Sequence, residues 1–320
     1  MVVVSHFDYD HWGGLIDLAG LVASRGRVEP IQLLYPRLPR PAQNVPVGAL
    51  ALMSLHTPGV ERPQRVIDAW RAHGLLEARS MREGDWFEAV GRAWQVHWPP
   101  KVVGTDVTRA ASAALEDLQA LADDLRSQDY PALQESLERL HGWPSIPDDD
   151  RPRNPLQGDD DVFEGVWAPL GGDGDLFEGD GDARPLGAFV RAAAMGTIPD
   201  DPEVINTCRS LDRRLQRLNN YFSLVMDCGP EFAAFGDIEK WALRYLVRSG
   251  RLQSRYVALL APHHGTHPVP AGFPVAEVCL MQDGPAHAQR HAKHLDTHVS
   301  AECVGTDRLG NQTVYFPCGI

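Results

Sequence analysis

The chain has 320 residues, 43 % of them hydrophobic, and a formal net charge of −13. It is long enough to bury a sizeable core, and its acidic balance excludes a protein that grips nucleic acid along a broad basic face. No run of about 18 apolar residues occurs, which argues against a transmembrane helix, and no basic, apolar leader precedes the first polar residues, which argues against a signal peptide.

In chain order, residues 1–6 read as a short buried strand, Val-Val-Val-Ser, running into a histidine. Residues 12–25 read as a helix, with Leu15, Leu18, Leu21 and Val22 at helical spacing. A β-type stretch follows at Ile31–Tyr35, then a Pro-rich loop at 36–46 and an amphipathic helix at 62–74. Gly84 to Pro100 alternates in the manner of a hairpin turning at Val90-Gly91-Arg92. Residues 108–141 are strongly helical. Residues 146–185, rich in Pro, Gly and Asp, read as a mobile acidic loop without the ligand order of an EF-hand. Together 104–205 read as an insertion between two halves of a single domain spanning 1–320. Beyond it, Tyr221–Cys228 and Glu231–Phe235 read as strands, 238–249 as a helix, and Tyr256–Ala261 and Val275–Met281 as strands. A His-rich helix near 286–297 and a strand pair around 300–316 complete the pattern. Helices mixed with short strands make an α/β fold. The five cysteines form no C-x-x-C pair and lack a neighbouring base. They read as reduced thiols in a cytoplasmic protein.

The segment that carries chemistry is Ser5-His6-Phe7-Asp8-Tyr9-Asp10-His11-Trp12-Gly13-Gly14. His6, Asp8, Asp10 and His11 put four metal-ligating side chains within six residues, directly after a buried strand. Imidazole with carboxylate suits one or two divalent ions such as Zn²⁺ or Mn²⁺. The bland alternative, a polar turn at a strand end, does not call for so dense a set. Tyr9 and Trp12 fit a substrate cleft or core packing equally well. His56, His73, His97 and His141 have no ligand-like neighbours and read as surface or packing residues.

This motif resembles the His-x-His-x-Asp-His signature of the metallo-β-lactamase superfamily. Asp8 in its third position is similar to the branch found in ComEC-type DNA-uptake (competence) proteins. Trp98-Pro99-Pro100, Asn219-Asn220-Tyr221, Gly236-Asp237-Ile238-Glu239, Pro262-His263-His264-Gly265 and Gly305-Thr306-Asp307 resemble further segments of that branch, in the same order, over about 1–100 and 206–316. The resemblance implies an αββα sandwich, short at its N-terminus and carrying the helical and acidic insertion. It implies His6 and Asp8 on one metal, Asp10 and His11 on a second, and Asp237 bridging. His263 or His264 completes the site or contacts substrate; the favoured assignment places His263 on metal and gives His264 and Asp10 catalytic roles. Asn220 and His287 are expected near substrate or behind the ligands, with His291 and His294 further along the same helical face. Asp307 is expected in a turn rather than on metal.

The implied activity is that of a metal-dependent phosphodiesterase or nuclease, on a small phosphodiester or a nucleic-acid end. A hydrolase of lactone, thioester or other carbonyl esters, and a catalytically weak partner-binding module, are the alternatives. A protein partner is expected at the N-terminal sheet edge or the acidic insertion, and no membrane.

Overall fold

The computed structural model describes residues 1–26, 30–40, 42–74, 76–141, 186–282, 297–298 and 300–305. The chain is a mixed α/β fold built on two sheets. The first is wholly parallel, in the order β1 (Val2–Val3), β2 (Ile31–Pro36), β3 (Leu76–Met81), with Val2 opposite Leu33 and Ile31 opposite Leu76. Parallel neighbours need crossovers. Here α1 (Tyr9–Trp12) and α2 (Leu15–Ser24) connect β1 to β2, while α3 (Val45–Ser54) and α4 (Gln64–Ala72) connect β2 to β3. The central strand β2 is apolar at nearly every position and is covered on both faces.

The second sheet runs in strict chain order from β4 (Trp86–Ala89) through β5 (Arg92–Trp98), β6 (Val225–Asp227), β7 (Phe232–Ala234), β8 (Arg255–Leu260) and β9 (Val275–Met281) to β10 (Ser300–Gly305). It is antiparallel from β4 to β7 and parallel from β7 to β10. The β4–β5 hairpin turns at Val90 (φ 54°) and Gly91 (φ 69°), two left-handed residues whose twist matches that of the flanking strands. An apolar layer of Leu34, Met81, Phe87, Val96, Leu224 and Met226 joins the two sheets.

The remaining helices build a second, larger apolar cluster. α5 (Thr105–Ser127), α6 (Ala132–Leu140) and α8 (Pro202–Tyr221) pack with α3, α7 (Leu186–Ala194) packs on α8, and α9 (Lys240–Arg248) follows β7. α8 starts cleanly: the Asp201 carboxylate accepts the Glu203 amide at 2.8 Å, and Pro202 occupies the first turn, where no amide is needed. Its stripe of Ile205, Cys208, Leu211, Leu215 and Leu218 is buried. The helices expected between 104 and 205 thus share their core with α3 and α8, on either side of that span.

The expected strand Tyr221–Cys228 is corrected. Tyr221 ends α8 and only Val225–Asp227 is strand, because α8 delivers Leu218 and Tyr221 to the core and a turn at Phe222–Leu224 follows. α3, β3 and α8 go beyond the elements expected from the sequence. The acidic loop 146–185, the His-rich helix near 286–297 and the segment beyond Gly305 lie outside the described residues. Among the described residues, no helix is long and apolar enough to cross a membrane.

Candidate metal centre

The centre lies where the chain passes from one sheet to the other. The Val4 amide donates to the Leu34 carbonyl at 2.8 Å, in the first sheet, and the next carbonyl, that of Ser5, accepts the Leu224 amide at 2.7 Å, on the lead-in to β6. His6 follows and is completely buried. After Asp8 the single turn of α1, closed by the His11 amide donating to the Asp8 carbonyl, returns His11 over His6. The two rings are 4.0 Å apart and tilted by 53°.

The Ser5 hydroxyl lies between these rings, 3.1 Å from His6 Nδ1 and 3.2 Å from His11 Nδ1. A hydroxyl oxygen has two lone pairs and can accept from both Nδ1–H groups, which leaves both Nε2 lone pairs facing away from it. They face one carboxylate oxygen. Asp237 Oδ2 is 3.9 Å from His6 Nε2, 3.8 Å from His11 Nε2 and 3.3 Å from His264 Nε2. His6, His11 and Asp237 each offer a ligand atom, all within 4.8 Å of one another; this group could hold a metal ion.

Asp8 stands at the edge of the group, with Oδ2 3.4 Å from His6 Nε2, while its Oδ1 accepts a 2.7 Å hydrogen bond from Asn219 Nδ2. Burial raises both acidic groups, and in both the histidines outweigh it. Hydrogen bonding to His6 and the charge of His6, aided by Asn219 and opposed by Asp237, hold the Asp8 carboxyl below its ordinary range. His6, His264 and His263 hold that of Asp237 well below it. Two ionised carboxylates among imidazoles are the charge pattern a cation needs.

Asp237 and the two loop histidines are positioned by strained backbone. Gly236, just before Asp237, has φ +53°, and a Cβ there would meet Ser5 Cβ at 3.1 Å and Leu224 O and Ser223 Cβ at 3.2 Å. After β8, His263 (φ 47°, ψ 44°) and His264 (φ 56°, ψ 14°) are successive left-handed residues, each costing about 1–2 kcal/mol for a side chain larger than glycine. The His263 amide donates to the Gly236 carbonyl at 3.0 Å, and the Thr266 amide and hydroxyl donate to the His263 carbonyl at 2.8 and 2.6 Å. Strain held this firmly at a site is a mark of function.

The expected residues fall out as follows. His6, His11 and Asp237 converge, with Asp8 beside them and His264 at the rim. Besides His11 and Asp237, His6 Nε2 has Asp8 Oδ2 at 3.4 Å; the expected pairing of Asp10 with His11 rests on a side chain outside the described residues. His263 turns toward His267, its ring 4.4 Å away, so that His264 is the member of the pair closest to the carboxylate. Asp10 lies on α1, but its side chain, like all of His287, His291, His294 and Asp307, is outside the described residues. Asn220 is buried at the end of α8; it is its neighbour Asn219 that reaches Asp8. Trp12 is core, its indole N–H donating to the Phe7 carbonyl at 3.2 Å, with Tyr9 edge-on at 5.2 Å. His73 and His141 are exposed and His56 packs against Phe189. His97 departs from the packing expectation: it is buried with its Nε2 3.0 Å from Asp227 Oδ2, which also accepts the Tyr256 hydroxyl at 2.8 Å.

Ser5 and Asn219 were not expected as positioning groups. Ser5 sits next to the first ligand, and only the return of His11 through α1 makes it a bridge. Replacing it by alanine is expected to leave the fold intact and to weaken metal binding about 10–100-fold, the usual cost of losing an outer-shell partner; metal titration of Ser5→Ala checks this, and unchanged affinity would remove Ser5 from the centre.

Compared with protein-family models, with characterised proteins and with solved structures, the chain matches none.

Proposed function

We propose that this chain is a metal-dependent hydrolase on a metallo-β-lactamase-like αββα frame, acting on small phosphodiesters. The observation that carries the reading is the convergence of His6, His11 and Asp237, drawn from distant parts of the chain, around one point with Asp8 and His264 at its edge. Two sheets joined by an apolar layer, beside a larger helix-built cluster, support the frame that the motif order implies.

The donor set fits Zn²⁺ or Mn²⁺. Two imidazoles and a carboxylate with room for a further ligand form the pattern of a catalytic rather than a closed structural site. His6, His11 and Asp237 would hold a first ion; Asp8 and Asp10 are the carboxylates for a second. A bound divalent ion supplies a water acidic enough to ionise near neutral pH and an acid for the oxygen of the scissile group. The rest falls to the side chains. Ser5 and Asn219 fix the ligand rings and Asp8. His264, the most exposed member of the cluster at 29 %, is the imidazole placed to reach substrate and pass a proton to the leaving oxygen. The net charge of −13 favours a small phosphodiester over a long polyanion.

The test is hydrolysis of bis(p-nitrophenyl) phosphate by protein loaded with Zn²⁺ or Mn²⁺, beside p-nitrophenyl acetate and a simple lactone. Phosphodiester turnover abolished by chelation is expected. Turnover of the carbonyl esters alone would replace this reading by an esterase, and metal binding with no turnover of any would leave a binding module.

Acid should empty the centre. Asp237 is held well below the carboxylate range, so it stays ionised while the imidazoles take up protons and compete with the cation. Affinity is expected to fall as the pH is lowered and the imidazoles protonate, by roughly tenfold per pH unit for each histidine protonated. Calorimetric titration at several pH values checks this, and a flat profile would mean that the histidines are not ligands.

A further inference from the structure

The far edge of the larger sheet carries chemistry that the metal centre does not use. Cys279 in β9 and Cys303 in β10 are direct partners in the parallel ladder. Such partners project from the same face of the sheet, from backbones about 4.8 Å apart, within the roughly 4.4–6.8 Å between Cα atoms that a disulfide requires. Both are free thiols. Cys279 is fully buried and Cys303 half-buried, so one is shielded and the other within reach of solvent.

A base stands beside them. His298 is buried, with Nδ1 4.0 Å from Cys279 Sγ and Nε2 3.3 Å from the His267 carbonyl oxygen. A carbonyl only accepts, so that contact places the ring proton on Nε2 and leaves the Nδ1 lone pair toward the thiol. The proximity of the two thiols favours the Cys303 thiolate and drives the Cys279 thiol, which is also buried, upward. The pair is therefore divided into an exposed attacking sulfur and a buried protonated one with a proton acceptor.

We propose that Cys279 and Cys303 are a redox-modification site that takes hydrogen peroxide as oxidant and closes to a reversible disulfide across β9 and β10. The Cys303 thiolate attacks one peroxide oxygen; the O–O bond breaks, the sulfur becomes a sulfenic acid, and the departing hydroxide takes up the proton that Cys303 had lost. The Cys279 sulfur then attacks the Cys303 sulfur as its proton passes to His298 Nδ1. The S–O bond breaks, and the hydroxide released collects that proton. Two thiols lose two electrons and peroxide leaves as two waters. A dithiol reverses the bond by exchange.

The experiment treats the full-length chain with a few equivalents of hydrogen peroxide, blocks remaining thiols by alkylation, and maps linked peptides by mass spectrometry. A Cys279–Cys303 cross-link is expected, with the chain lighter by about 2 Da and the mass restored by dithiothreitol. In Cys303→Ser the cross-link should vanish and Cys279 should resist alkylation until the protein is unfolded; Cys228→Ser should cross-link as the parent does. Because the readout on the unmutated chain needs no variant to fold, the proposal can fail outright. Cys303 advancing to sulfinic acid without a cross-link, a cross-link to another cysteine instead, or both thiols remaining reduced would each overturn it.

Discussion

Asp237→Asn should retain the fold and lose the metal. One carboxylate oxygen faces the Nε2 atoms of His6, His11 and His264 at 3.9, 3.8 and 3.3 Å, so the amide removes the charge that three imidazoles share. A lost ligand costs more than the 10–100-fold lost with an outer-shell partner; after dialysis the metal content of the variant should fall to near zero and phosphodiester turnover to background. Elemental analysis with circular dichroism on the same sample decides it. Full metal content in the folded variant would move the centre to Asp8 and Asp10 and end the assignment of Asp237.

Gly236→Ala is the second large effect, and it acts through packing. The residue is left-handed, and its missing Cβ is the space in which Ser5, Ser223 and the Leu224 carbonyl meet. Alanine incurs the left-handed cost of about 1–2 kcal/mol and an overpacking cost of about 1–3 kcal/mol. Neither flexible side-chain ends nor open space can absorb the clash. A loss of about 2–5 kcal/mol is expected, lowering the melting temperature of the metal-free protein by roughly 5–20 °C. Since Gly236 carries Asp237 on one side and touches Ser5 on the other, metal affinity should fall with it. A variant that melts and binds metal like the parent would mean that this junction is looser than its contacts imply.

Much of the scaffold was legible where local pattern and burial agree. Ile31–Pro36, Tyr256–Leu260 and Val275–Met281 are apolar runs of strand length, and Val90-Gly91 sits between alternating strands. α3 was not legible, because Val45 to Leu52 is buried on every side and shows no helical period. β3, Leu-Glu-Ala-Arg-Ser-Met, is a short edge strand whose apolar–polar alternation runs only from Leu76 to Arg79. Tyr221-Phe222-Ser223 has strand-like composition, yet tertiary packing of α8 decides Tyr221.

The candidate group was legible because His6, Asp8 and His11 crowd into one short segment, and Asp237 and His264 followed from the order of motifs. Their supports were not. Asn219 reaches Asp8 across a separation of 211 residues, and Cys279 meets Cys303 only through strand register; neither distance leaves a mark in local sequence.

Val4 and Ser5 tie the chain to both sheets at once, the Val4 amide to Leu34 and the Ser5 carbonyl to Leu224. A chain that exchanges sheets between successive residues leaves little slack for one sheet to open while the other stays closed. Fraying of the short strand β1 must therefore strip a hydrogen bond from each sheet together, and it carries His6 away with them. His6 is thereby expected to open only together with both sheets, so that the amides of Val4 and Leu224 should exchange with solvent at the same rate.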